Sequence, residues 1–260
     1  MKSILWMIFC LTFGLATAQS PYQLDKKKEI IIYGAASTLL GTSIALEYTA
    51  VSPFSESQIS NLDRTNINAF DRRATNYLSS SAAEASDYLK YVSYPLPLFF
   101  AFHKNSRKDV KKILILYGET LFLTSGTTGI AKRLVRRTRP LIYNENVLLE
   151  RKLNKDAKYS FFSGHTSVTT ANFIFAAKVF SDYFPESKWK PIVWSGAILG
   201  SVSTGYFRVR GGRHFPTDVI AGFLVGGAFG YFVPHFHKVK SSKNLSINSF
   251  GTGVHVSYRF

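Results

Sequence analysis

Residues 208–236 have the sequence RVRGGRHFPTDVIAGFLVGGAFGYFVPHF, and this stretch decides how the chain folds. Pro216 suits the first turn of a helix, where its missing N–H has no partner to lose. The apolar part, 219–236, follows directly. It carries four small residues that let two helices pack closely: Gly222, Gly226, Gly227 and Gly230. We therefore predict a helix that begins near Pro216 and packs tightly against a neighbouring helix.

Five further apolar segments precede this one, each near the length that crosses a bilayer. They are 30–50, 88–102 (broken by Pro95 and Pro97), 113–130 (with Glu119 inside), 166–180 and 192–206. The pattern predicts an all-α fold, a membrane-embedded bundle of about six hydrophobic helical segments. Because the mean hydropathy is close to neutral, a compact, soluble all-helical domain stays open as an alternative.

The chain divides into four predicted parts. Residues 1–18 have the features of a signal peptide: Lys2, an apolar stretch, and a small-residue cleavage signature at 16–18. An uncleaved anchor helix is the alternative. An N-terminal apolar segment and a polar connecting region follow at 19–87, then a catalytic core at 88–237. The basic tail, 238–260, can form a β-hairpin, although a disordered or packed tail is the favoured interpretation.

The charge of the chain indicates an anionic partner. Thirty-two Lys and Arg residues oppose 16 acidic residues, a net charge of +16, which suits phosphate groups or an anionic membrane surface. Export would separate the chain from nucleic acid. The basic stretches 104–112 and 238–243 predict the cytoplasmic side of the membrane, which would place the polar clusters described below outside. A cleaved signal followed by a span at 30–50 would invert this topology, and the conflict stays open.

Lys132, Arg136 and Arg139 recur at helical spacing, so they are expected on one face at a helix end that Pro140 terminates. Arginine can bind two phosphate oxygens at once, and lysine adds a point charge. Taken alone, a solvated cluster beside a membrane is the more ordinary interpretation.

Ser163, Gly164 and His165 stand just before an apolar helix that starts near Thr166. Gly164 permits close approach of the backbone to an anion, and the amides of a helix start point toward negative charge. His165 can exchange a proton near neutral pH. An ordinary helix cap with an incidental histidine is the alternative.

Arg208, His214 and Asp218 form the sharpest set. Asp218 in the first helical turn is expected to turn back and accept a hydrogen bond from His214, which leaves the other ring nitrogen free to attack. Gly211 and Gly212 make the loop after Arg208 tight. A structural salt bridge is the alternative.

Together the three clusters resemble the type 2 phosphatidic acid phosphatase (PAP2) superfamily, which includes lipid phosphatases, acid phosphatases and vanadium haloperoxidases. Its pattern is Lys, six residues, Arg-Pro; then Pro-Ser-Gly-His; then Ser-Arg, five residues, His, three residues, Asp. The chain matches with Lys132 and Arg139-Pro140, with 163–165, and with the third cluster. Phe162 and Phe207 depart from it, replacing the proline and the serine.

The resemblance implies a role for each residue. His214 would be the nucleophile, Asp218 would orient it, and His165 would protonate the leaving oxygen. Five residues would bind phosphate: Lys132, Arg139, Ser163, Gly164 and Arg208. No metal site and no cofactor are expected. His235 and His237 are expected on the surface.

These observations and the resemblance predict a bacterial cell-envelope phosphatase that hydrolyses a phosphate monoester or diphosphate of a membrane lipid through a phosphohistidine intermediate. The partners are the lipid phosphate substrate and the membrane, with no nucleic acid. It would reside in the inner membrane with its active site facing the periplasm. The alternatives are a soluble periplasmic acid phosphatase, a vanadate-dependent haloperoxidase, and a non-enzymatic basic membrane protein that binds anionic lipid.

Overall fold

A computed structural model describes residues 20–48, 51–239, 245–250 and 253–258. The predicted signal peptide, 1–18, lies outside these residues. Nine α-helices occur in the described part, joined by short 3₁₀ turns: α1 (Lys26–Tyr48), α2 (Glu56–Ser60), α3 (Ala69–Arg72), α4 (Ser80–Ser93), α5 (Val110–Val135), α6 (Leu149–Lys152), α7 (Gly164–Tyr183), α8 (Lys190–Arg210) and α9 (Pro216–Phe236). Strands β1 (Leu245–Phe250) and β2 (Gly253–Tyr258) pair antiparallel. The fold is therefore the predicted helical bundle, and the tail forms the hairpin that had been the less favoured interpretation.

Five of the six predicted apolar segments are long helices, α1, α5, α7, α8 and α9. The segment 88–102 is different: α4 ends at Ser93, and a 3₁₀ turn, Leu96–Ala101, begins after Pro95. Proline lacks the N–H that a continuing α-helix needs, so the chain bends at this point.

Helix α7 lies at the centre of the bundle, packed against α9, α8, α5 and α4. The four glycines of α9 that were predicted to allow close packing form a glycine stripe that faces α7: Gly222, Gly226, Gly227 and Gly230. A Cβ atom at Gly222 would lie 2.7 Å from the Ser163 carbonyl oxygen, and one at Gly230 would lie 2.6 Å from that of Ala171. Any side chain at these positions would push α9 away from α7.

The bundle buries polar side chains beside its apolar core and exposes large apolar side chains. Tyr117 Oη donates a hydrogen bond of 3.2 Å to the buried Asn172, whose amide donates to Ser93 at 2.9 Å. Large apolar side chains instead face outward on α8 and α9, with Leu199 66% and Leu224 63% exposed. This distribution suits a hydrocarbon environment.

Three helical regions in the described part are long and apolar enough to cross a membrane: Lys26–Tyr48, Pro216–Phe236 and a stretch within Arg107–Tyr143. The bundle brings four helix ends to one side. The carboxyl ends of α5 and α8 meet the amino ends of α7 and α9. The first sequence cluster lies at the carboxyl end of α5 and the second at the amino end of α7. The third connects the carboxyl end of α8 to the amino end of α9.

Candidate active site

His214 occupies the centre of this end of the bundle and is 1% exposed. Its Nδ1 lies 2.7 Å from the backbone carbonyl oxygen of Ser160. A carbonyl oxygen only accepts hydrogen bonds, so Nδ1 carries the proton and Nε2 keeps its lone pair. Nη1 of Arg139 lies 3.3 Å from that Nε2.

The expected hydrogen bond between His214 and Asp218 is absent, because Nδ1 lies 3.8 Å from the nearer carboxylate oxygen. Asp218 acts on His214 indirectly, through Ser160. Its Oδ2 accepts a hydrogen bond of 2.5 Å from Ser160 Oγ and one of 2.9 Å from the Phe215 amide. Asp218 thereby fixes Ser160, whose carbonyl group fixes the ring of His214.

Arg137 and Asp71 complete this network, and neither was singled out by the sequence. Arg137 donates to Asp218 at 2.5 Å and to Asp71 at 2.8 Å, with its guanidinium 4.2 Å from the centre of the Phe215 ring. Asp71 also accepts from the Thr217 amide at 3.0 Å. Burial raises the pKa of Asp71, but hydrogen bonds from Thr217, Arg137 and Asn68 outweigh it, so the pKa is lowered overall.

His165 lies at the amino end of α7, where its Nε2 is 2.7 Å from Asp87 Oδ1. The same carboxylate oxygen lies 3.4 Å from Nη1 of Arg208. Burial and the nearby cations, Arg208 and Lys90 foremost, lower the pKa of His165 to about 2. The imidazole is therefore neutral at neutral pH, with the Asp87 carboxylate beside its Nε2. Asp87 lies on α4, and apart from its charge nothing in the sequence indicated that it belongs to the site.

The three expected phosphate-binding cations are held by backbone and side-chain acceptors. Lys132 Nζ donates to the Tyr159 carbonyl oxygen at 2.6 Å. Arg139, 6% exposed, pairs with Asp156 at 2.8 Å. Arg208 is also 6% exposed and donates weakly to Ser86 at 3.3 Å.

These cations converge on one histidine. The pKa of His214 is lowered well below its usual value, first by burial and then by Arg139, Lys132 and Arg208. His165 adds to the same effect. The structure therefore brings Lys132, Arg139, His165, Arg208 and His214 into one electropositive, partly to fully buried constellation, which attracts an anion.

Arg136 does not share the face expected of it. Helix α5 ends at Val135, and Arg136 adopts the left-handed conformation with φ 49°. Its side chain is exposed and its Nε donates to the Arg133 carbonyl group. The extended backbone that follows carries Arg139 back toward His214, so a turn rather than helical spacing brings Lys132 and Arg139 together.

Ser163 is the N-cap of α7, accepting a 3.3 Å hydrogen bond from the Thr166 amide. A Cβ atom at Gly164 would lie 3.5 Å from Cε of Lys132, an ordinary van der Waals distance, so the start of α7 lies directly beside that lysine. Gly212 has φ +66°, and its Cβ would overlap the Tyr77 carbonyl oxygen. The tight loop after Arg208 therefore requires glycine at 212.

The two histidines expected on the surface differ. His235 is exposed, but His237 is only 2% exposed. The expectation is wrong for His237 because the start of α1 and the side of α5 cover it, as the contacts to Glu29 and Glu119 show.

Comparison with known proteins identifies the family of the chain. The family model described as the PAP2 superfamily matches residues 113–242. A lipid A 4'-phosphatase from Porphyromonas gingivalis is 30% identical over 142 residues, which are 52% of this chain and 56% of that protein. An undecaprenyl-diphosphatase from Sulfolobus acidocaldarius is 28% identical over 138 residues, 53% of this chain and 59% of that protein.

The chain thus spans somewhat more than half the length of these relatives. Among solved structures, a transmembrane PAP2 type phosphatidylglycerolphosphate phosphatase from Bacillus subtilis aligns with a TM-score of 0.49 at 21% identity. That alignment covers 83% of this chain and 99% of the other.

Proposed function

The chain belongs to the PAP2 superfamily, and on this premise we propose that it is a membrane phosphatase that removes phosphate from a phosphorylated lipid through a phosphohistidine intermediate. The names of its relatives, a lipid A 4'-phosphatase and an undecaprenyl-diphosphatase, support a lipid monoester or diphosphate as the substrate.

The observation that carries the proposal is the fixed tautomer of His214. Its Nδ1 proton is committed to Ser160, so the lone pair of Nε2 faces Arg139 and the other cations. A nucleophilic histidine needs this combination, an unprotonated nitrogen directed at the place where a phosphoryl group is held.

Phosphate binding begins with Arg139. An entering phosphate takes the Nη1 hydrogen bond that otherwise reaches Nε2 of His214, which frees the lone pair. Arg208 and Lys132 bind further oxygens, as do the backbone amides at the start of α7 beside Ser163 and Gly164. Fixed cations stabilise the extra charge of a five-coordinate phosphorus most strongly, which lowers the barrier.

In the first step, Nε2 of His214 attacks phosphorus while the bond from phosphorus to the leaving oxygen breaks. His165 supplies the proton that this oxygen needs. Burial and cations hold the pKa of free His165 at about 2, but a phosphate dianion offsets those cations, so the ring takes up a proton from solvent as the substrate binds. Asp87, 2.7 Å away, then stabilises the imidazolium.

In the second step, water attacks the phosphorus of phosphohistidine. Neutral His165 takes a proton from that water, the phosphorus–nitrogen bond breaks, and inorganic phosphate leaves with His214 restored. Ser160, held by Asp218, keeps the ring in place through both steps.

The chemistry proceeds without a metal ion. Lys132, Arg139 and Arg208 supply the charge that divalent ions supply in other phosphoryl-transfer enzymes. Acidic residues near these cations, such as Asp156, are engaged in ion pairs with them.

The active site faces the periplasm. The basic residues 104–112 lie at the start of α5 and Lys238 follows the end of α9, so these described basic residues lie at the end opposite the active site. The positive-inside rule places that end in the cytoplasm. The exposed residues 26–28 begin α1 at the same end.

The outward-facing apolar residues of α8 and α9 argue against the soluble acid phosphatase. A non-enzymatic lipid-binding protein would give no role to the oriented His214. Extraction distinguishes the soluble acid phosphatase from the membrane phosphatase, since a membrane protein needs detergent to leave the membrane fraction.

A phosphate-release assay tests the proposal on the full chain in detergent. The panel holds phosphatidate, phosphatidylglycerol phosphate, a prenyl diphosphate, lipid A phosphate and the soluble ester p-nitrophenyl phosphate. We expect a lipid to be hydrolysed fastest, with inhibition by vanadate, which mimics five-coordinate phosphorus. Acid quenching with labelled substrate should trap a protein-bound phosphate. Failure to release phosphate from any lipid would contradict the proposal.

A further inference from the structure

A second group of ionisable side chains lies at the opposite end of the bundle. Glu29 is in the first turn of α1, Glu119 projects from α5, and His237 directly follows α9. Glu119 is 0% and His237 2% exposed. Thirteen positions of α5 separate Glu119 from Lys132, which is about 20 Å of helix, so the group is distinct from the active site.

The ring of His237 is oriented toward the two carboxylates. Its Nδ1 donates a hydrogen bond of 2.8 Å to the Val233 carbonyl oxygen, which leaves the lone pair on Nε2. That Nε2 lies 3.0 Å from Glu29 Oε1 and 3.6 Å from Glu119 Oε2.

These groups have no other partner in the described part of the chain. Apart from one another, the carboxylate oxygens of Glu29 and Glu119 and the Nε2 atom of His237 have no hydrogen-bond partner among the described residues. Two buried carboxylates and a nitrogen lone pair that face one another repel, and burial without compensation costs several kcal/mol per ion in general. A cation between them would remove both costs.

We propose that Glu29, Glu119 and His237 bind a divalent transition-metal ion of the zinc class. One nitrogen and two carboxylate oxygens are ligands that Zn²⁺ accepts. The three ligand atoms lie within 4.8 Å of one another. The two separations from Nε2, 3.0 and 3.6 Å, bracket roughly 3.3 Å, the edge of a tetrahedron with bonds of about 2.0–2.1 Å.

The hydrogen bond to Val233 strengthens this assignment. Metal-bound histidines almost always donate their other ring N–H to a carbonyl or carboxylate group, which fixes the ring and its tautomer. His237 has this arrangement before any ion is considered.

The role of the ion is structural. It joins α1 and the end of α9 to α5, where the chain already pairs through Gln23 N–H to the His237 carbonyl oxygen and Val239 N–H to that of Pro21, both 2.9 Å. Because the three ligands come from distant parts of the sequence, binding energy adds directly to the stability of the fold. The inference does not depend on the proposed reaction.

The test uses the full chain without a polyhistidine tag, purified in detergent and dialysed against micromolar ZnCl₂. Elemental analysis should find about one zinc per chain, and CoCl₂ in its place should give the visible absorption of tetrahedral Co²⁺. Removing the metal with a chelator should lower the melting temperature. Wild-type protein that holds no metal and melts at an unchanged temperature would overturn the proposal.

Variants identify the ligands. Glu119→Gln and His237→Gln should each hold less than a tenth of the wild-type metal, whereas His235→Gln, which changes the exposed neighbouring histidine, should keep it. If Glu119→Gln binds zinc as wild type does, the assignment is wrong. If no form binds zinc and Glu119→Gln is more stable than wild type, a shared proton holds the group together and the metal proposal fails. A variant that does not fold leaves the decision to the wild-type measurements.

Discussion

His214 and His237 are two buried histidines at opposite ends of one bundle, and their rings are held in the same way. Each donates Nδ1–H to a backbone carbonyl oxygen, at 2.7 Å from Ser160 and 2.8 Å from Val233. Each therefore directs the lone pair of Nε2 into the protein. They differ in what Nε2 faces, since His214 meets Arg139 and His237 meets Glu29 and Glu119.

In the two proposals the surroundings of the ring, rather than the imidazole itself, select the ligand. The same tautomer, fixed by the same kind of hydrogen bond, suits an anion where cations converge and a cation where carboxylates converge. The experiments below test whether the two ends differ in the way their charges imply.

The largest effect is expected from His214→Gln. Removing the nucleophile should reduce phosphate release by at least about 10⁴-fold, as the loss of a catalytic nucleophile or base does in other enzymes. The melting temperature should stay near that of wild type, because glutamine is similar in size. Rates come from the phosphate assay, and His235→Gln is the matched control with full activity. Wild-type turnover in His214→Gln would exclude the nucleophile.

Arg139→Leu should come next, because Arg139 is the cation that contacts Nε2 of His214. Loss of one preorganised donor to the transition state generally costs about 10²–10³-fold in kcat. Arg136→Leu, on an exposed arginine three residues earlier, should leave kcat within twofold. Equal losses in the two variants would mean that general positive charge, rather than the position of Arg139, assists the reaction.

Ser160→Ala should have a smaller effect, since the backbone carbonyl group that holds His214 stays in place. The variant removes the 2.5 Å hydrogen bond to Asp218. A hydrogen bond to a charged group contributes about 1.5 kcal/mol, so kcat should fall on the order of tenfold. KM should change little, and the kcat of Asp218→Asn should fall at least as far as that of Ser160→Ala. A rise in KM with unchanged kcat would instead place Ser160 in substrate binding.

The smallest expected change is in the titration of the active-site histidines. Burial and the surrounding cations lower the pKa of both His165 and His214 below the usual value. Their ring ¹⁵N signals in the substrate-free protein should therefore stay those of neutral imidazole as the pH falls from 7.5 to 5. Adding vanadate should raise the pKa of His165. Protonation of either ring near pH 6.5 would show that the cations do not act on it.

Part of the site follows from spacing along the chain. Pro216, the glycine stripe of α9 and the Ser163 cap are local features, so the sequence predicted their helices correctly. The prediction that Lys132, Arg136 and Arg139 share one helical face was wrong, because Arg136 adopts a left-handed conformation that ends α5. Short-range spacing cannot anticipate such a turn, since it depends on the packing that receives the next residues.

Four residues of the site could not have been selected from the sequence, because each contacts a residue far away in the chain: Asp71, Asp87, Arg137 and Ser160. Asp87 meets His165 across 78 positions and Asp71 meets Thr217 across 146. The burial of His237 has the same origin, since residues from α1 and α5 cover it.

The sequence by itself determined the helical architecture, the outward-facing apolar surface and the types of residue that carry the chemistry, because hydrophobic period, helix caps and side-chain chemistry are local properties. Only the tertiary structure decided which atoms meet. It placed Ser160 rather than Asp218 against His214, and it placed two carboxylates rather than solvent around His237. Distances and local charge arise from contacts between distant segments, and these exist only once the bundle has packed.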